Sequence, residues 1–107
     1  MLWLKEEDFY GSESTRMVQG IMFLLPSRQR FIPYSWLLYS ELNDKKTELH
    51  FHYTHAVVTV TGTNLSDIHE AVVRHELYVV REMPPPVSAE ADDLTVSRIE
   101  ITEKTDG

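Results

Sequence analysis

Glu48-Leu49-His50-Phe51-His52-Tyr53-Thr54-His55-Ala56-Val57-Val58-Thr59-Val60-Thr61 is the stretch that decides how this chain folds. Leu49, Phe51 and Tyr53 alternate with Glu48, His50 and His52, so the two sets point to opposite faces. That period of two marks a half-buried strand. Thr54-His55 turns the chain, and Val58 and Val60 then alternate with Thr59 and Thr61. β-Branched residues suit a pleated surface, and Gly62 breaks the run. The domain is therefore built on antiparallel β structure.

Working outward from this pair, the residues after Gly62 change period. Leu65, Ile68, Val72 and Val73 form a stripe at helical spacing, with Asp67, Glu70 and Arg74 away from it. Asn64 is a good N-cap, and Asp67 suits the positive end of the helix dipole. One helix over residues 64–76 is predicted. Leu77-Tyr78-Val79-Val80 reads as a further strand, stopped by Met83-Pro84-Pro85-Pro86. This apolar strand has little to protect it as a sheet edge, so barrel closure, pairing with the C-terminal segment or oligomerisation is expected to cover it.

Upstream, Ile21-Met22-Phe23-Leu24-Leu25 is a short apolar run ended by Pro26, the pattern of a buried strand. Pro26-Ser27-Arg28-Gln29 supplies a turn, and Arg30-Phe31-Ile32 returns as a strand that Pro33 ends or confines to an edge. Pro33-Tyr34-Ser35-Trp36 reads as a tight turn or one helical turn, with Ser35 able to cap it. Leu37 to Leu42 is read as a strand, closed by the polar turn Asn43-Asp44-Lys45-Lys46.

The expected fold class is α+β, mainly antiparallel β: a small partly open barrel or strongly bent sheet of about five to six strands, with the helix packed against it. Residues 20–83 form the single β-rich domain, residues 1–19 an N-terminal arm whose aromatics dock on the domain or a neighbour, and residues 84–107 a Pro-rich hinge with an acidic tail. A possible extra strand lies at 94–102. Its apolar face switches between Val96 and Ile99, which implies a bulge.

The 107 residues suit one domain. The absence of cysteine excludes disulfides, thiolate metal sites and cysteine nucleophiles. Met1-Leu2-Trp3-Leu4 is too short for a signal-peptide core and is followed at once by Lys5-Glu6-Glu7-Asp8. No apolar run approaches the roughly 20 residues of a membrane helix. A cytoplasmic protein with no membrane partner is expected. The net charge of −7 opposes binding to a polyanion. Residues 20–83 carry six bases against seven acids, so most of the negative charge lies in the two ends. A nearly neutral body suits protein contacts.

Candidate sites are few. His50 and His52 share a strand face with Glu48, and alternate residues on a strand can chelate a metal together. The small double-sheet barrels that use such a pair place an acid a few residues later, whereas here Tyr53-Thr54-His55-Ala56-Val57-Val58 follows. A solvated polar face accounts for the three residues more simply. His69 and His75 stand six apart, about 120° from a common helix face. Ser66, Asp67 and His69 lack the glycine-bounded elbow of a serine nucleophile and are better explained by helix initiation. A single Gly62 before the helix, with Asp67 in its first turn, makes a poor anion site.

Arg28, Arg30, Tyr34 and Trp36 form a minimal basic-aromatic group of the kind that binds single-stranded nucleic acid. Two arginines are few at a net charge of −7, so nucleic acid is not the expected partner and a solvated loop is the simpler reading. The same aromatics also suit a protein interface. The reading is a non-enzymatic binding or assembly module without a cofactor, whose partner is itself or another protein. An RNA-binding small barrel and a metal-binding strand face at Glu48, His50 and His52 are the alternatives.

Overall fold

The structure is a computed structural model and describes residues 10–12, 18–84 and 93–104. In chain order the elements are β1 (Tyr10–Ser12), β2 (Gly20–Leu24), β3 (Gln29–Pro33), a 3-10 turn (Tyr34–Trp36), β4 (Leu37–Leu42), β5 (Glu48–Tyr53), β6 (Ala56–Thr63), α1 (Ser66–Val73), β7 (Leu77–Arg81) and β8 (Thr95–Glu103). They form two four-stranded sheets, ordered β1-β7-β2-β3 and β4-β5-β6-β8. Nine of these ten elements lie where the sequence places them, β1 being the exception. Among the described residues the fold is mostly antiparallel β with one α-helix and no closed barrel, as the sequence implied.

The alternating faces of β5 and β6 behave as predicted: Leu49, Phe51, Tyr53, Val58 and Val60 are fully buried. Ile21, Phe23 and Ile32 from the first sheet meet them, and Phe23 packs its ring edge-on to Phe51 at 5.4 Å. Ile68 and Val72 of the helix and Leu65 just before it complete the same core. Helix α1 packs against both β4 and β7, so it spans the open side between the two sheets.

Among the described residues only the pairing of β2 with β7 is parallel. This pairing places β7 between β1 and β2, in the middle of the first sheet. The expectation of an unprotected edge at Leu77 to Val80 is therefore corrected. β1 covers one side of that strand and β2 the other, and both are distant in sequence, so no local signal reveals them.

The C-terminal strand is likewise an integral part of the fold. β8 pairs with β6 from Ala56 opposite Glu103 to Thr63 opposite Thr95, and Val96 and Ile99 enter the core. The core thus continues beyond residue 83. The predicted bulge is present: the register shifts between Thr61 and Gly62, leaving Ser97 as the extra residue, whose Oγ donates to Thr61 O at 3.1 Å. Gly62 has no room for a side chain there, because a Cβ would stand 1.8 Å from Thr95 O.

Helix α1 is shorter than residues 64–76, and its start differs from expectation. Asn64 adopts a left-handed φ of 52° and Leu65 occupies the N-cap position, with no side-chain cap. The chain is directed into the helix instead by the β4–β5 hairpin, where Lys46 O accepts from Leu65 N at 3.0 Å. At the other end His75 takes φ 57°, while Glu76 N donates to Ala71 O and His75 N to Val72 O. These two bonds form a Schellman motif with histidine where glycine is usual.

Each remaining sheet edge carries a blunting device. β3 ends in Pro33 and turns Arg30 to the core side, level with Phe23. β4 has a bulge at Leu38, which lies between the partners of Tyr53 and His52, and α1 packs against this strand. β8 is held by Met83 N donating to Val96 O and by Ile99 N donating to Glu82 Oε1 at 2.6 Å. β1 is three residues long with its own register shift. The aromatic arm expected at Trp3 and Phe9, the end of the proline run and the acidic stretch to Asp92 lie outside the described residues.

Candidate binding surface

The predicted basic-aromatic group is divided between interior and surface. Tyr34 is a core residue, which corrects its assignment to an exposed binding group. Its hydroxyl donates to Leu77 O at 2.7 Å, and its ring stacks on His75 at 4.4 Å. The 3-10 turn causes this, because it rotates Tyr34 inward beneath the corner where the chain passes from the first sheet to the second. Burial raises the Tyr34 hydroxyl pKa above its ordinary value, opposed by the bond to Leu77 and reinforced by Glu76. Burial likewise raises that of Tyr53, whose hydroxyl has no hydrogen-bond partner among the described residues.

Arg30 is engaged as well. Its Nη1 donates to Glu103 Oε1 at 2.5 Å and holds that carboxyl below the usual range, through the hydrogen bond first and the charge second. Arg28 lies exposed at the β2–β3 turn. Of the four predicted binding residues, only Arg28, in the β2–β3 turn, and Trp36, in the 3-10 turn, are exposed.

The histidine face forms as the alternation predicted, on the outer side of the second sheet. His50 Nε2 lies 3.5 Å from Glu48 Oε1, and its Nδ1 is 3.2 Å from Thr59 Oγ1. His52 Nε2 instead lies 3.5 Å from Glu41 Oε1, and its ring stacks on Tyr39 at 4.2 Å. The two imidazoles are 6.2 Å apart, each facing a different carboxylate. Among the described residues no three His, Asp or Glu side chains are grouped to hold a metal ion.

What the sequence reading missed is an apolar patch around the start of β4. Trp36, Leu38 and Tyr39 are 46%, 61% and 52% exposed. In a regular strand Leu38 and Tyr39 would point to opposite faces, and one of the two would be buried. The bulge removes that constraint, since Leu37 pairs with Tyr53 and Tyr39 with His52 while Leu38 has no counterpart. Two histidines brace the aromatics: His52 under Tyr39, and His55 edge-on to Trp36 at 4.8 Å. The one available signal was that Leu37 to Leu42 does not alternate cleanly.

The chain matches no family model, no curated protein and no solved structure. Among the described residues, no helix is long and apolar enough to cross a membrane. The surface chemistry of the patch therefore carries the functional argument by itself.

Proposed function

We propose that this protein is a cytoplasmic, non-enzymatic binding or assembly module, and that its contact surface is the patch Trp36, Leu38 and Tyr39. The observation that carries this reading is the exposure of three large apolar side chains within four residues, Trp36 at the end of the 3-10 turn and Leu38 and Tyr39 at the β4 bulge. Tryptophan and tyrosine supply large contact area at little entropic cost and dominate the energetic centres of interfaces. The blunted edges favour recognition through side chains over addition of a strand.

Light scattering after size-exclusion chromatography, paired with chemical cross-linking, tests the reading. Self-association or a cross-linked partner that is lost in Leu38→Lys, with the melting temperature retained, supports it. A strictly monomeric chain whose cross-links are the same in the wild type and in Leu38→Lys overturns it.

A further inference from the structure

The two sheets turn their inner faces to one core, with Phe23 edge-on to Phe51, so their outer faces lie on opposite sides of the molecule. The outer face of the first sheet carries an apolar row that crosses all four strands: Gly11 opposite Val79, Val79 opposite Met22, and Met22 opposite Phe31. Buried Val80, Phe23 and Ile32 alternate with it, so the row faces outward. Tyr78 at the β1–β7 bulge and Phe31 on the edge strand β3 are about half exposed, at 47% and 49%. In the next outward row Arg81 stands opposite Leu24, with the arginine exposed.

The two sheets differ in charge. The strands of the first contain two arginines, Arg30 and Arg81, and no acid, whereas those of the second contain Glu41, Glu48, Glu100 and Glu103 against Arg98 alone. Arg30 pairs with Glu103 between the sheets, and Arg98 pairs with Glu100. Glu82, which follows β7, accepts from the Ile99 N–H. The outer face of the first sheet therefore keeps Arg81, and that of the second keeps Glu41 and Glu48, each beside a histidine. Glu41 stands two residues from Tyr39 on the same side of β4, so a carboxylate borders the patch Trp36, Leu38 and Tyr39.

We infer that the outer face of the first sheet receives the Trp36, Leu38 and Tyr39 patch of a second copy, in a head-to-tail contact. This rests on the reading of that patch as the contact surface and adds what it meets. The two surfaces match in extent: four strands span about 14 Å at a spacing of about 4.8 Å, and four extended residues cover about 10 Å. Charge then decides the arrangement. Patch against patch would bring Glu41 of one copy toward Glu41 of the other, and row against row would oppose two Arg81 side chains. The head-to-tail arrangement instead sets arginine against carboxylate around an apolar centre. Such a contact leaves one unused surface of each kind on every pair, so association continues to a ring or an open chain and does not stop at a dimer.

Light scattering of the wild type over a range of concentrations, and of Leu38→Lys and Arg81→Glu alone and mixed, tests this. The wild type is expected to exceed the mass of a dimer as concentration rises. Each variant alone is expected to stay monomeric, with a melting curve like that of the wild type. An equimolar mixture of the two is expected to form a heterodimer and nothing larger, because Leu38→Lys keeps the first-sheet face and Arg81→Glu keeps the patch. Gln29→Glu, exposed in the row of Leu24, replaces Arg81→Glu if that variant melts early. A mixture that stays monomeric overturns the inference. A wild-type dimer that is lost in Leu38→Lys but kept in Arg81→Glu and Gln29→Glu also overturns it, while leaving the patch as a contact surface with another counterpart. A wild type that is monomeric at every concentration overturns it too, and the reading of the patch is then decided by cross-linking to a different protein.

Discussion

Arg30 on β3 and Glu103 on β8 join the two sheets, with Nη1 and Oε1 2.5 Å apart. They are 73 residues apart in sequence, and their contact brings the far end of β8 against an edge strand of the first sheet. Glu103 is held below the usual carboxylate range by this arginine, so its pairing stabilises the fold above the ordinary carboxylate pKa. That stabilisation is lost as pH falls through the depressed folded value. Glu103→Gln is therefore expected to lower the melting temperature slightly at neutral pH, by an amount limited by the exposure of the pair. The difference from wild type closes on acidification. Thermal melts of both proteins from neutral pH to below the carboxylate range measure this.

Tyr34 and Tyr53 make opposite predictions under truncation to phenylalanine. Tyr34→Phe removes a buried hydrogen bond to Leu77 O and is expected to cost about 1–2 kcal/mol. Tyr53→Phe removes a fully buried hydroxyl with no partner among the described residues, and is expected to be neutral or to stabilise by about 1 kcal/mol. Denaturant unfolding of the two variants discriminates them; equal losses would contradict the assignment.

Both phenols also predict alkaline sensitivity. Burial raises their folded pKa values, so the stability they contribute is complete below the ordinary phenol pKa of about 10 and is lost as pH rises toward the folded values. The slope of stability against pH above about 10 should be shallower in Tyr53→Phe than in wild type. Chemical denaturation midpoints across that range test the sign.

Two left-handed residues should respond differently to glycine. Lys46 sits at φ 61° in the β4–β5 turn with an exposed side chain, so Lys46→Gly relieves strain and is expected to stabilise by about 0.5–1 kcal/mol. His75 carries a similar φ but stacks on Tyr34 at 4.4 Å. Losing that stack, worth about 0.5–1.5 kcal/mol, offsets the relief, so His75→Gly is expected to be close to neutral. Melting temperatures of the two variants provide the comparison.

Gly62→Ala should be among the most damaging substitutions in the chain. The new methyl would stand 1.8 Å from a backbone oxygen, Thr95 O, which cannot move without separating β6 from β8. The expected cost is about 3 kcal/mol or more, read as a large loss in the denaturation midpoint. A near-normal midpoint would mean that the bulge is placed elsewhere.

The sequence by itself determined the local elements. Alternation in Glu48 to Thr61 specified two strands and their buried faces, the stripe from Leu65 to Val73 specified one helix, and the switch between Val96 and Ile99 specified a bulge. It also placed His50 and His52 on one polar face. These features depend on backbone geometry and on the side a residue faces, which neighbours in the chain encode. The tertiary structure alone decided the rest. β7 became a central strand because β1 and β2 reach it from far away in sequence, and β8 became part of the core because it pairs with β6. Tyr34 left the surface because the 3-10 turn at the corner between sheets points it inward. Leu38 and Tyr39 came to be exposed together because the pairing of β4 with β5 skips one residue. Each of these outcomes depends on which partner lies opposite, and that choice is made by the whole packed chain.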